Sequence, residues 1–208
     1  MGLNMKIGIF GGTFDPVHLG HMEVAALAKS YLNLDKVIFV PAGCPQLKQL
    51  LPSATGKQRL EMVKIAIGDN DRFNTSDLEI NRKGPTFTID TLKEMKEMLP
   101  LGTQLWLIVG ADAFKEFNKW ENYNDILKLA RICVIRREGL DMGNEEFNHL
   151  KKLAFENNVV FINKITQHIS STKIKKIIKQ KEKVKKYLNP KVHDYIVSNG
   201  LYKTVKDK

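Results

Sequence analysis

Strand-like and helix-like patterns alternate almost from one end of the 208-residue chain to the other. Short apolar runs predict strands over Lys6–Phe10, Lys36–Val40, Arg72–Ile80, Leu105–Val109, Ala130–Arg136 and Val159–Ile162. Apolar residues at helical spacing predict helices over His21–Leu32, Lys57–Ile67, Thr86–Met98, Glu145–Glu156 and Ser171–Ser198, the last with a break at Asn189-Pro190. This alternation favours an α/β fold, namely a Rossmann-like, doubly wound, mostly parallel sheet with helices on both faces.

We expect a single domain over residues 1–208, with residues 171–208 as its C-terminal helical part, because no repeat or linker divides the chain. Cys44 and Cys133 are too few for a disulfide framework or a thiolate metal site, so both are expected to be inert thiols. The sequence has no apolar run of the roughly 18 to 20 residues that span a membrane and no secretory signal pattern. These absences predict a cytoplasmic protein without a membrane partner.

A formal net charge of +10 raises the question of an anionic partner. Much of the excess lies in a run of eight lysines from Lys173 to Lys186 that includes a single acid, Glu182. The aromatic residues that interleave with basic ones in single-strand binders are missing from this run. The pattern therefore favours a solvated helical surface, with its first lysines near a phosphate site, over a nucleic-acid interface.

The segment Gly11-Gly-Thr-Phe-Asp-Pro-Val-His-Leu-Gly-His21 lies between the first predicted strand and the first predicted helix. Its glycines allow the backbone to approach a ligand closely, and a helix N-terminus favours phosphate. His18 and His21 are three residues apart, which places both imidazoles on one helix face. The alternatives are a Gly-rich turn with two incidental histidines and a metal site, for which no further ligands are evident nearby.

This segment resembles the signature of the nucleotidyltransferase superfamily, whose H-x-G-H element lines a triphosphate. The surrounding sequence is similar to the bacterial nicotinate mononucleotide adenylyltransferase family. That resemblance implies an enzyme of NAD biosynthesis that joins nicotinate mononucleotide and ATP to give deamido-NAD and pyrophosphate. It also implies Mg²⁺ as a cofactor, bound through ATP phosphates and water and not by a protein cage. A homo-oligomer is compatible with the sequence.

The resemblance assigns catalytic roles to His18 and His21, and it places the ATP contacts in three parts of the chain. The residues implied for ATP are Gly11, Gly12, Thr13 and Phe14 in the first turn, Lys48 and Asp112, and Ile169, Ser170, Ser171, Thr172 and Lys175. The last five resemble the family's I-S-S-T-x-I-R element, with lysine in place of its arginine. Two alternatives stay open, because Ser170 to Thr172 also suit a plain helix cap and Asp112 suits an N-cap.

For nicotinate mononucleotide the resemblance implies four residues, Asp15, Thr86, Trp120 and Tyr123. The backbone of Thr86 would meet the nicotinate carboxylate, and Trp120 would stack on the pyridine ring. Tyr123 suits core packing equally well. Arg59 suits either a helix surface or a ligand contact, and Asp90 is expected to cap or anchor a helix.

The chemistry implied by the family needs no general base, because the attacking phosphate is already ionised at neutral pH. Catalysis must then come from aligning the two phosphates and stabilising the charge on the leaving pyrophosphate. We expect each histidine to contribute on the order of 2 to 4 kcal/mol to transition-state stabilisation. The rival functions are a sibling transferase acting on nicotinamide mononucleotide or phosphopantetheine, a nucleic-acid binder, and a non-catalytic nucleotide sensor.

Overall fold

The computed structural model describes residues 5–43, 51–137, 159–166, 169–180, 184 and 186–203. The predicted helix over Glu145–Glu156 and the predicted ligand Lys48 lie outside these ranges. None of the helices in them is long and apolar enough to cross a membrane.

Six parallel strands form one sheet in the order β3-β2-β1-β4-β5-β6. The strands are β1 (Lys6–Gly12), β2 (Lys36–Pro41), β3 (Phe73–Thr75), β4 (Gln104–Gly110), β5 (Arg131–Arg137) and β6 (Val159–Thr166). In the centre, Ile9 of β1 is aligned with Ile38 of β2 on one side and Leu107 of β4 on the other. The prediction of a parallel α/β sheet is confirmed.

Helices cover both faces of this sheet. They are α1 (Leu19–Leu32), α2 (Gly56–Ile67), α3 (Leu78–Asn81), α4 (Thr88–Met98), α5 (Ala111–Lys115), α6 (Tyr123–Leu129), α7 (Ser171–Lys179) and α8 (Pro190–Ser198), with a 3₁₀ turn at Phe117–Lys119. Side chains alternate along each strand, so Phe10 joins a core with α1, α2, α7 and α8, whereas Ile7 and Ile9 join a core with α4, α5 and α6. Cys133 is buried in the first core, and burial raises the pKa of its thiol to about 12.

The predicted strand over Arg72–Ile80 is wrong in its second half, because β3 ends at Thr75 and α3 begins at Leu78. Local polar side chains explain the change, since they offer the backbone an alternative to the sheet. The Ser76 hydroxyl accepts the Leu78 N–H at 3.3 Å, and the Asn81 amide donates to the Asp77 carboxylate at 2.8 Å.

The sheet reverses its winding between β1 and β4. The chain moves from β1 to β2 and β3 on one side, and then returns across β1 to β4, β5 and β6 on the other. In doubly wound sheets, ligands bind in the crevice outside the carboxyl ends of the strands at such a switch point. The segment Gly11–His21 leaves β1 at this place.

Candidate active site

The two histidines of the first turn lie against each other at the start of α1. His18 is the N-cap, and its backbone N–H donates to Nδ1 of His21 at 3.2 Å. The two rings are stacked, with centroids 3.7 Å apart and an angle of 21° between their planes. Because Nδ1 of His21 accepts this bond, the proton of the neutral ring lies on Nε2 and can be donated elsewhere. The prediction that both imidazoles share a face is confirmed, although His18 caps the helix and does not lie within its first turn.

Phe14 packs beneath the two histidine rings as part of the core, in contact with His21. Its backbone takes the left-handed conformation, with φ of 49°, and its side chain is only 1% exposed. The ring meets His21 edge-on at 5.0 Å and packs beside Phe10 and Phe39. A Cβ on Gly12 would lie 2.8 Å from the Phe14 ring, so a glycine is needed there. The Phe14 side chain belongs to the core, and an ATP contact at this position would have to be made by the backbone.

Asp15 joins the first turn to three distant parts of the chain. Its carboxylate accepts hydrogen bonds from Lys175 Nζ at 2.7 Å, Tyr202 OH at 2.9 Å, and the backbone N–H groups of Ser53 and Ala54 at 2.9 and 3.0 Å. Burial alone would raise the pKa of Asp15, but these four donors outweigh it and hold the pKa below its usual value. With both oxygens engaged, the side chain anchors the loop, and the predicted contact with nicotinate mononucleotide would fall to its backbone.

The N-terminus of α7 lies beside that of α1. The Ser171 hydroxyl donates to the carbonyl oxygen of Pro16 at 3.0 Å, and Ser170 caps α7 by accepting the Lys173 N–H at 3.2 Å. Ile169 is 4% exposed and packs next to Gly20. Two helix N-termini therefore converge on one place, and each brings backbone donors and a positive dipole end.

The side chain of Arg59 in α2 binds backbone carbonyl oxygens, including that of Thr13 in the first turn. The guanidinium donates to the carbonyl oxygens of Ala54, Thr13 and Ala42 at 3.3, 2.8 and 2.5 Å, and the residue is 1% exposed. Neither sequence interpretation of Arg59 is correct, because it is a buried clamp and not a surface or ligand-facing side chain. Three bonds from a rigid planar fork fix the ends of β1 and β2 relative to α2.

A cavity of about 370 Å³ opens next to the first turn, on the α4 face of the sheet. We call it the acceptor cavity. Its walls include Ile9, Gly11, Gly12, Val40, Ala42, Glu79, Thr86, Phe87, Thr88, Thr91, Leu107, Ile108, Val109, Lys119, Trp120 and Glu121. Trp120 is half-buried and supplies an aromatic surface, and its indole N–H has no hydrogen-bond partner among the described residues. Gly11 and Gly12 belong to both the cavity and the first turn, so the two sites share a wall.

Known proteins resemble this chain over nearly its whole length. Residues 9–177 match the cytidylyltransferase-like family model. A probable nicotinate-nucleotide adenylyltransferase of Clostridium perfringens is 39% identical over 203 residues, which cover 95% of this chain and 98% of the relative. The chain belongs to the nicotinate-nucleotide adenylyltransferase family. A second such relative, from Desulfitobacterium hafniense, is 40% identical over 200 residues, covering 95% of this chain and 96% of its own length.

Solved structures share the fold of this chain. A Plasmodium falciparum nicotinic acid mononucleotide adenylyltransferase complexed with NaAD matches with a TM-score of 0.78 at 24% identity. The same enzyme complexed with APC matches with a TM-score of 0.75 at 23% identity. Each alignment covers 95% of this chain and 97% of the other.

The structure brings most of the predicted adenylyltransferase site residues together and leaves some apart. Thr86, which is 8% exposed, and Trp120 both line the acceptor cavity. Tyr123 packs edge-on against Phe117 at 5.9 Å and does not line the cavity, which favours the core-packing alternative.

At the other predicted ATP positions, the assignments stay predictions. Asp112 is exposed in the first turn of α5, but Gly110 is the N-cap, so the capping alternative for Asp112 is wrong. Thr172 is exposed one residue into α7, and Lys48 is outside the described residues. Asp90 lies in the first turn of α4, whose N-cap is Phe87, so it does not cap the helix.

Two residues that sequence reasoning missed, Tyr202 on Asp15 and Glu79 in the cavity wall, organise the site together with Arg59, whose role it misjudged. An arginine on an amphipathic helix and a tyrosine near the end of a chain give no signal that they are buried. Glu79 fell within a predicted strand, where its side chain had no assigned role.

Proposed function

We propose that this protein joins nicotinate mononucleotide and ATP to form deamido-NAD and pyrophosphate. The phosphate of the mononucleotide attacks the α-phosphorus of ATP in line, and pyrophosphate leaves. The family named for this activity covers almost the whole chain.

The observation that carries this proposal is the wall shared by two sites. Gly11 and Gly12 line the acceptor cavity, and the same loop continues into the paired histidines at the start of α1. An acceptor held in the cavity therefore has its phosphate beside a triphosphate held at the helix N-termini. Holding two reactants in this way removes much of the entropic barrier to their reaction.

The residues of the first turn have the chemistry that the leaving group needs. His21 can donate from Nε2, because its Nδ1 is occupied by the His18 N–H. The N-termini of α1 and α7 add donors that are already in place before reaction, so no reorganisation is needed as negative charge develops. The Lys175 ammonium lies 2.7 Å from the Asp15 carboxylate, and its positive charge adds to the field of the site.

Mg²⁺ fits this site as a partner of the substrate. The Asp15 carboxylate is engaged by four protein donors, and the described residues contain no cluster of three or more His, Cys, Asp or Glu side chains able to hold a metal ion. A hard cation of this kind commonly keeps several waters and binds substrate phosphates. When bound, it would neutralise phosphate charge.

The activity can be tested directly. The purified protein is incubated with Mg·ATP and either nicotinate or nicotinamide mononucleotide, and pyrophosphate and the dinucleotide are followed together. We expect both products with the nicotinate acceptor. Pyrophosphate without a dinucleotide, or no product with either acceptor, would contradict the proposal.

A Trp120→Ala substitution is expected to raise the KM for the acceptor about tenfold, because a stacking surface worth roughly 0.5 to 1.5 kcal/mol beyond its buried area is lost. The KM for ATP should change less than twofold. Steady-state kinetics with each substrate varied in turn measures both values. Trp120→Phe is the matched control, since it keeps an aromatic face next to Phe117 and should retain most of the acceptor affinity. An increase confined to the KM for ATP would show that Trp120 contacts ATP and not the acceptor.

A further inference from the structure

One buried carboxylate, Glu79, organises the polar end of the acceptor cavity. It is 9% exposed, and the Thr91 hydroxyl donates to its Oε1 at 2.8 Å. The Thr86 side chain and the backbone N–H of Gly43 also donate to this carboxylate. A Cβ on Gly43 would overlap the carbonyl oxygen of Glu79, so the approach requires a glycine. All three donors come from segments that flank the cavity.

The positive charges nearby are mostly committed to other groups. Arg82 donates to Thr91 at 3.3 Å, but it forms its ion pair with Glu94 at 2.6 Å. Arg59 acts on Glu79 only through its field, because its own donors go to backbone carbonyls. Glu79, which lines the cavity, therefore has no ion pair of its own among the described residues.

Two more charged residues, Lys119 and Glu121, line the cavity from the loop around Trp120, and both are exposed. Water therefore screens their effect on the interior. Burial raises the pKa of Glu79, and the hydrogen bonds and the charge of Arg82 offset this only in part. This direction favours proton uptake by Glu79 when another negative charge approaches.

The cavity dictates which part of an acceptor would meet Glu79. Most of its lining is apolar, with Trp120 as the aromatic surface on which a flat ring can stack. A polar substituent on that ring must reach polar groups, because burying it unpaired is costly. Among the described lining residues, the buried polar side chains are Glu79, Thr86 and Thr91. We expect the substituent to lie at the Glu79 end, where these buried polar side chains cluster, and the phosphate to point back to Gly11 and Gly12.

We propose that Glu79 makes the cavity distinguish a carboxylate from an amide on the pyridine ring by proton uptake. A carboxylate acceptor binds together with one proton from the solvent, which is shared between its carboxylate and that of Glu79. An amide acceptor binds without this proton. The inference rests on the proposed function, since it concerns the substituent of the same acceptor.

The physical reason is that two carboxylates in one poorly solvated site cannot both stay ionised. Their repulsion is strong at the effective dielectric of a protein interior, and the pair keeps one proton. Proton uptake on binding makes affinity depend on pH. The preference for a carboxylate over an amide acceptor should fall as pH rises, by up to tenfold per unit once Glu79 is ionised in the free protein.

Isothermal titration calorimetry of the full-length protein at pH 7.5 tests this in two buffers with different ionisation enthalpies. The probes are nicotinate mononucleotide and nicotinamide mononucleotide, whose identical phosphates cancel in the comparison. We expect the carboxylate acceptor to take up close to one more proton than the amide acceptor. In Glu79→Gln this difference should fall to zero while the carboxylate acceptor still binds. Glu121→Gln, which removes the other carboxylate lining the cavity, should leave the difference intact.

Equal proton counts for the two acceptors in the wild-type protein, or a full difference retained in Glu79→Gln, would overturn the inference and leave the proposed function standing. Loss of the difference in Glu121→Gln alone would also overturn it. If the amide acceptor does not bind, the proton count for the carboxylate acceptor in wild type against Glu79→Gln decides. If Glu79→Gln does not fold, the wild-type ratio of kcat/KM for the two acceptors between pH 6 and 8 decides, and a constant ratio contradicts the inference. Failure of both acceptors to bind or react would count against the proposed function instead.

Discussion

Replacing His21 by alanine is expected to lower kcat by about 10²- to 10³-fold, the scale seen when one preorganised donor to a developing charge is removed. The KM values for ATP and acceptor should change only a few-fold, because the donor matters most when charge develops on pyrophosphate. The same substitution at His18 should have an effect of similar size, since it removes the ring stacked on His21 at 3.7 Å. Steady-state kinetics at saturating concentrations of both substrates measures these losses.

His193 provides the matched control for the two histidines of the first turn. It lies on α8, away from the first turn in sequence, and its Nδ1 lies 3.4 Å from the carboxylate of the adjacent Asp194. His193→Ala should keep wild-type kcat. His21→Gln should keep part of the activity that His21→Ala loses, because the side-chain N–H of glutamine lies about as far from the backbone as Nε2 of histidine. Wild-type turnover in both His18→Ala and His21→Ala would show that the leaving group is stabilised by other donors.

Replacing Asp15 by asparagine is expected to lower the free energy of unfolding by about 3 kcal/mol, because it leaves the partly buried Lys175 without its partner. The pH dependence of this loss of stability follows from the lowered pKa of Asp15. A carboxyl whose pKa is lower in the folded protein than in the unfolded protein stabilises the fold at pH values above its unfolded-state pKa. This stabilisation is lost as the pH falls through its folded-state pKa. The wild-type advantage over Asp15→Asn should therefore hold at pH 7 and shrink below about pH 4.

Urea unfolding between pH 3 and 7 measures this difference. Tyr202→Phe keeps the ring but removes one donor to the carboxylate, and should cost about 1.5 to 3 kcal/mol. Asp69→Asn is the matched control, because it makes the same change of charge at an exposed position. Its free energy of unfolding should stay within about 0.5 kcal/mol of the wild-type value. If Asp15→Asn were as stable as the wild-type protein at pH 7, the carboxylate could not be what ties these segments together.

The fold was largely predictable because its elements are periodic and buried. β1, β2, β4 and β5 are near-continuous apolar runs, and their positions were predicted to within one or two residues. The first turn was predictable because its glycines and histidines are adjacent in sequence. Short elements escaped prediction, since α3, α5 and α6 span at most seven residues and give too few turns for a periodic signal.

Long-range polar contacts were the part that sequence could not supply. Asp15 was predicted to contact a ligand, but its partners at positions 53, 54, 175 and 202 become neighbours only in the folded protein. The resemblance implied an ATP contact for Lys175, which stands where the family has arginine. In the structure its ammonium donates to the Asp15 carboxylate at 2.7 Å and lies 5.9 Å from the centre of the Tyr202 ring.

The bond from Tyr202 to Asp15 also has a consequence for how the protein is made. The two residues are 187 positions apart in the sequence. During synthesis, Asp15 therefore lacks the Tyr202 donor until all of these positions have been added. At ordinary translation rates this interval is about 10 to 40 s. Over that time the growing chain would lack this donor to Asp15, and the first turn would be fully anchored only once Tyr202 has emerged from the ribosome.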